Sequence, residues 1–429
     1  MKNTLKLAFA VLIGSLLAFF LLTAFNVKPI IAYTVTTISS SLIFIAVCVM
    51  LMKEEVSSRY FFALISIGIL LRIAFLTVHP VGSPDYYRYV WDGKVEAAGI
   101  NPYRYAPDAP SLTSLHSDLV PRLVTYPSMK TIYPPLAEIL FYIAYLIGGE
   151  SYLGIKLLLL VFDILTMVGL YLTMGRLKLD RKYLLIYALC PLPFIQFFLD
   201  GHVDAFGFTF VIFAIYFYLT DKKSLGYVFI GLSMLIKPLA LIMVPVFFFS
   251  EKRILNRIKA AAIPVLLFGL AYVPYIFTGS PFSALIKFTE NWTFNGVVFH
   301  FLDAFIKDNQ RTRAVCAVLL VIAYAPMVLS KKDLMTKIYL SVFILFIFSP
   351  IVHPWYIGWL VALLPLNPRW SGIAYAGLSS LTAFTILNYQ LTGVWHDYNL
   401  VLIFEYGPVL LLLLRELFRN RESASPIPG

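Results

Sequence analysis

Charge is scarce in this chain. Of 429 residues only 13% are Asp, Glu, Lys or Arg, about half the share of roughly 25% usual in a soluble globular protein. Cysteine is scarcer still. Cys48, Cys190 and Cys316 sit in different apolar segments with no metal-type spacing, so they read as inert small hydrophobes. There is no Walker loop, dinucleotide fingerprint, H-E-x-x-H or G-x-S-x-G. Those absences argue against ATP or a nucleotide-linked substrate. No internal repeat or low-complexity tract stands out beyond the short "SASPIPG" end, and no two halves align as the inverted repeats common in transporters do.

What fills the chain is hydrocarbon. Hydrophobic residues make up 60%, mean hydropathy is +0.82, and apolar windows of about 20 residues, enough to cross ~30 Å of lipid, recur from end to end. The class is an all-α polytopic integral membrane protein. The N-terminal run Leu7 to Phe25 is too long for a signal-peptide core and is followed by no A-x-A site, so it is expected to stay as a first transmembrane helix. Expected crossings are 6–25, 30–52, 60–78, 153–174, 183–199, 203–220, 259–278, 311–330, 336–351, 355–366, 371–388 and 400–418. Segment 133–148 is short, and 226–249 is broken by Lys237-Pro238.

The net charge of +11 gathers in short loops, which fits orientation in a bilayer better than binding of nucleic acid. Loops 175–182, 221–224, 250–259 and 330–337 and the tail 415–422 carry the basic residues and are expected on the cytoplasmic side. They share one side if 133–148 and 226–249 each enter and leave by the same face, as re-entrant hairpins or paired half-helices; the alternative, ordinary helices throughout, violates the charge rule at several loops. Such backbone is tolerated where protein or a cavity surrounds it. That topology sends 79–132, "LDGHVDA" (199–205), the Lys237-Pro238 apex, 279–310, "SPIVHPWY" (349–356) and "NYQLTGVWHDYN" (388–399) to the outer face of a plasma or inner membrane. The domain division expected is a hairpin at 1–52, a membrane-embedded core at 53–422 and a disordered tail at 423–429.

The unexplained polar residues crowd that outer face. In "SPDYYRYVWDGKVEAAG" Ser83 suits an N-cap, Pro84 a first helical position and Gly99 an end, predicting an interfacial helix over 84–98. Asp85, Arg88, Asp92 and Glu96 recur on one face of it, turned toward protein or a water-filled cleft. The plain alternative is a solvated ion-pair stripe. "GINPYRYAPD" adds a turn presenting Arg104 and Asp108. "IYPPL" (132–136), with Tyr133, opens the first broken element, although it also reads as an ordinary helix start. In "DGHVD" Asp200, His202 and Asp204 stand at a helix junction, where ionisable groups near membrane depth mark function by default. Their spacing matches no strong metal motif, so no metal ligands are assigned; hydrogen bonds to sugar hydroxyls, or orientation of a catalytic group, fit better. Lys237 needs an anionic partner, either a carboxylate or a phosphate at the membrane surface. "HPWYIGW" brings His353 and Trp355 to the outer interface; an aromatic belt explains the rings but not the histidine.

Taken together, "DYYRYVWDGKVEAAGINPYRYAPD", "YPPL", "DGHVDA", "KP" and "HPWY" resemble bacterial GT-C glycosyltransferases, most nearly the polyprenyl-phosphate-mannose-dependent α-1,6-mannosyltransferase-like proteins. The resemblance runs from about residue 60 to 365. It implies a multispanning bundle whose large first outer loop carries a catalytic aspartate, matched here by Asp85. It also implies a polyprenyl-phosphate-linked sugar as donor, a glycan or glycolipid acceptor, and no nucleotide or other cofactor, while a divalent cation lacks a strong motif. One departure is that two transmembrane segments precede the one leading into the loop. The expected substrate-binding set is Arg88, Asp92, Arg104, Tyr133, Asp200, His202, Asp204, Lys237, His353 and Trp355. The competing class is a transporter or flippase of a lipid-linked or anionic glycan, which would need polar residues along both sides of the membrane.

Overall fold

A computed structural model describes residues 1–419, so the expected tail at 423–429 lies outside the described residues. The described chain is helical. Helix α1 (Asn3–Ala24) and α2 (Pro29–Lys53) form an antiparallel pair, with Pro29 at the first helical position of α2. On α1 one face, Leu5, Phe9, Leu12, Leu16 and Phe19, is buried, while Leu7, Val11, Leu17 and Leu21 on the other are exposed. Apolar residues on both faces are what a helix packed on protein on one side and lipid on the other requires. α3 (Ser58–Phe75) follows, then the large loop holding α4 (Tyr86–Ala97), and then α5 (Pro135–Gly148) and α6 (Leu153–Arg176). Among the described residues eight helices are long and apolar enough to cross a membrane, and shorter apolar helices stand between them.

One ion pair lies fully inside the bundle. Arg72 of α3 meets Asp163 of α6 at 2.6 Å, and Tyr187 donates to the same carboxylate at 2.6 Å. Lys156 of α6 donates to the carbonyl oxygens of Phe75 and Val78, capping the last turn of α3 where the chain leaves for the large loop.

Side-chain ties define two ends of the bundle. At the basic end Lys2 pairs with Glu54, Lys182 donates to the Glu54 carbonyl, and Arg369 reaches Thr336 and Glu416. The segment broken at Lys237-Pro238 is re-entrant from this end. Lys223–Met234 runs in and Val244–Ser250 runs back. Glu251, just past its far end, pairs with Lys223 at 2.9 Å and accepts from Tyr227 at 3.0 Å. Pro238 cannot donate a helical hydrogen bond, so the chain turns there and leaves Lys237 at the apex, beside Asp204.

Segment 133–148 departs from expectation. It is one unbroken helix, α5, rather than a hairpin or two half-helices, because both prolines fall before or at its first position and nothing interrupts the apolar run after them. Its two flanks attach to the large loop: Tyr103 donates to the Tyr133 carbonyl, and Lys94 pairs with Glu150 at 2.6 Å. The short helix therefore packs along α4. The helix expected over 84–98 is observed as Tyr86–Ala97. Its polar stripe is not solvated: Arg88 Nε meets Asp92 at 2.8 Å, Arg88 Nη1 donates to the Met129 carbonyl, and Glu96 accepts from Tyr275.

Candidate active site

Opposite the basic end the large loop, the re-entrant apex and the "HPWY" segment enclose a cavity of about 660 Å³. Its position begins with Asp200. The chain before it widens into a π-helical turn, Phe194–Leu199, a feature frequent at functional sites. Gly201 then adopts φ +80°, a left-handed conformation in which glycine meets no Cβ penalty. Asp200 is thereby turned toward the loop after α3. Its Oδ1 accepts from the backbone N–H groups of Val81 (3.1 Å) and Gly82 (2.7 Å), and its Oδ2 accepts from Tyr33 of α2 (3.0 Å). Gly82 is required there, since a Cβ would lie 2.5 Å from both Asp200 Oδ2 and the Tyr33 ring. Asp200 thus clamps the strip of loop that ends in Asp85.

Ser83 Oγ accepts from the Asp85 N–H at 3.2 Å, and Asp85 occupies the N-cap of α4. The Asp85 side chain is deep in the protein but 31% exposed to the cavity. A helix N-terminus favours the ionised form, yet the loss of water outweighs it. Burial raises the Asp85 pKa to about 6, with Lys237 pulling the other way. The Asp85 carboxylate is ionised at neutral pH and loses its charge just below.

Asp204 opens the helix Asp204–Leu219. It accepts from Lys237 Nζ at 2.6 Å and from Trp359 Nε1 at 2.9 Å. Lys237 Nζ also lies 4.2 Å from the centre of the Tyr356 ring, a cation–π geometry. The apex of the re-entrant segment is therefore pinned to the bundle with its ammonium group at the cavity wall. Above it stands a column of rings. His202 stacks on Trp355 (3.6 Å between centres), Trp355 on His353 (4.1 Å) and His353 on Phe294 (4.7 Å). His353 stays neutral: burial and the nearby Lys237 lower its pKa to about 3. Burial, with Lys237, also holds the His202 pKa well below its usual value.

Of the residues expected from sequence, Asp85, Arg88, Tyr133, Lys237, His353 and Trp355 line the cavity. Asp200, His202 and Asp204 lie beneath it, each about 1% exposed. The oxygens of the two aspartates are engaged by protein donors, so these two residues shape the wall. Asp92 is buried against Arg88. Arg104 is exposed and outside the cavity, with its guanidinium 5.0 Å over Tyr105, because the turn carrying it is tied to Tyr275 and Thr278 through Asn101. The sequence reading missed Lys130, Tyr356, Tyr126, Trp292, Tyr389, Gln390 and Trp395, all of which line the cavity. Their signal was present: Lys130 precedes "YPPL", and three of the others stand in "NYQLTGVWHDYN", already placed at this end.

Two family models match the chain. Residues 10–250 match the family described as alpha-(1->6)-mannopyranosyltransferase, N-terminal domain, and residues 295–415 match the MptB C-terminal domain. No curated protein matches the chain. A polytopic helical membrane protein with these matches is a membrane glycosyltransferase. The chain belongs to the alpha-(1->6)-mannopyranosyltransferase family.

Proposed function

We propose that this GT-C-type enzyme transfers a mannosyl residue from a polyprenyl-phosphate-linked donor to a glycan or glycolipid hydroxyl, with inversion, at the outer face of the plasma or inner membrane. The observation that carries this reading is the cavity itself. It sets the Asp85 carboxylate and the Lys237 ammonium on one wall, with aromatic rings around them and lipid-facing helices beside them. A sugar head group with a lipid tail needs that combination. The outward orientation is supported by the basic residues collected at the opposite end of the bundle.

In this reading the donor phosphate lies against Lys237, with Arg88 and Lys130 on the same cavity surface. Cations in a water-poor site stabilise the charge that develops on the departing phosphate. The acceptor hydroxyl attacks the anomeric carbon from the side opposite the phosphate. As the new carbon–oxygen bond forms, the bond to the phosphate oxygen breaks, polyprenyl phosphate leaves, and the hydroxyl proton passes to Asp85. Inversion turns a β-linked donor into an α-linked product. A base with a pKa near 6 is well matched to work at neutral pH. Trp355, His353 and Tyr133 supply flat surfaces and polar edges for the sugar. The test is to incubate the purified protein with a panel of polyprenyl-phosphate sugars and an oligomannoside acceptor. Transfer with release of polyprenyl phosphate is expected, and its absence with every donor would overturn the proposal.

A further inference from the structure

His202 is the buried polar group whose surroundings leave most unexplained. It is 1% exposed, and neither ring nitrogen has a hydrogen-bond partner. Buried polar atoms are almost always paired, and leaving one unpaired is costly. The His202 ring is held on one side by the Trp355 stack (18° between planes), and its backbone N–H is fixed to the Gln196 carbonyl at the π-helical turn. Held this way, Nδ1 faces Asp85 Oδ2 at 3.6 Å. That is a few tenths of an ångström beyond the 2.7–3.2 Å usual for such bonds. Asp85 is the freer partner, since its side chain still opens to the cavity.

We propose that His202 is a positioning residue for Asp85: the neutral imidazole donates its Nδ1–H to the Asp85 carboxylate in the working enzyme, fixing the base's orientation and favouring its ionised form. The proposal rests on the reading of Asp85 as the base. His202 does not line the cavity, so it acts through Asp85 rather than on the sugar. The groups around Asp85 are consistent with a neutral donor. Lys237, a cation held in its ion pair with Asp204 at 2.6 Å, already lowers the Asp85 and His202 pKa values, His353 is neutral on the far side of Trp355, Ser83 bonds the Asp85 backbone, and Tyr89 and Tyr133, whose pKa values burial raises, stand nearby as uncharged phenols.

Two measurements test this on the full-length protein. The first is kcat/KM against pH for wild type, His202→Phe and His202→Gln. Phe keeps a ring for Trp355 to stack on but removes the donor. Its acidic limb should move up by about one pH unit, and its kcat/KM at neutral pH should fall about 10- to 100-fold. Gln keeps an N–H donor and should restore the wild-type limb. An unshifted limb in the Phe variant, with a worse Gln variant, would mean that the ring serves packing alone and would overturn the proposal. The second needs no turnover. In protein labelled with ¹⁵N-histidine, the resonance lost in His202→Gln should be protonated at Nδ1 and should shift in Asp85→Asn. A signal protonated at Nε2, or one indifferent to Asp85→Asn, refutes the pairing. If no donor supports transfer in any variant, the base reading fails, while the spectrum still decides the contact.

Discussion

Asp85→Asn separates the catalytic from the structural consequences of burying this carboxylate. Asn keeps the size and much of the hydrogen bonding but cannot accept the proton. Transfer should fall by about 10²–10⁴-fold, the usual contribution of a positioned base, with donor binding preserved. Stability should move the opposite way. Burial raises the folded-state pKa from 3.8 to about 6, so the wild-type fold binds a proton more readily than the unfolded chain. Any stability this group contributes is present below pH 3.8 and is lost as pH rises through 6. At about 1.36 kcal/mol per pH unit, the ionised carboxylate costs the wild type about 3 kcal/mol at pH 8, an upper limit because the side chain retains some solvent. Asn avoids that cost but forgoes attraction to Lys237. The variant should therefore melt higher than wild type at pH 8 in detergent, and the gap should close by about half at pH 5. Wild-type kcat/KM should show an acidic limb near pH 6 that the variant lacks. A variant that turns over normally, or one that melts lower than wild type at every pH, would refute the reasoning.

Lys237→Met should do more than weaken donor use. It strands Asp204 in a buried site, which typically costs about 3–5 kcal/mol, so melting temperature should drop; adding Asp204→Asn should recover the fold while the donor KM stays high. Gly82→Ala forces a Cβ to within 2.5 Å of Asp200 and Tyr33. It should cost about 1–3 kcal/mol and lower kcat by about 10²-fold through displacement of Asp85, with a smaller change in donor KM. Both effects are read from melting curves and steady-state kinetics. For orientation, a cysteine placed at the exposed position Asp118 should react with an impermeant reagent from outside, and one at Lys178 only after permeabilisation; the reverse pattern would put the site in the cytoplasm.

Much of this protein could be read from its residues in order. Apolar runs separated by basic loops determined a multispanning helical bundle with two unlike ends, because hydrocarbon admits helices of a fixed length and charge sorts the loops. Pro238 after Lys237 marked the re-entrant apex through its missing N–H. The clustering of Asp85, Lys237, His353 and Trp355 at one end followed from topology alone. Periodicity could not tell whether α5 was broken, because its prolines occur before the helix, where they start a helix instead of interrupting it.

The tertiary structure decided which polar residues face the cavity and which hold it in place. "DGHVD" reads as three substrate-binding side chains in a row, but the π-helical turn and Gly201 direct each one differently: Asp200 to the Val81–Gly82 backbone, Asp204 to Lys237 and Trp359, and His202 toward Asp85 beneath Trp355. Partners more than 100 residues away in sequence, such as Tyr33 with Asp200 and Trp359 with Asp204, leave no local pattern. A buried carboxylate takes whichever donors the fold brings within about 3 Å, and the packing of separate helices sets that distance.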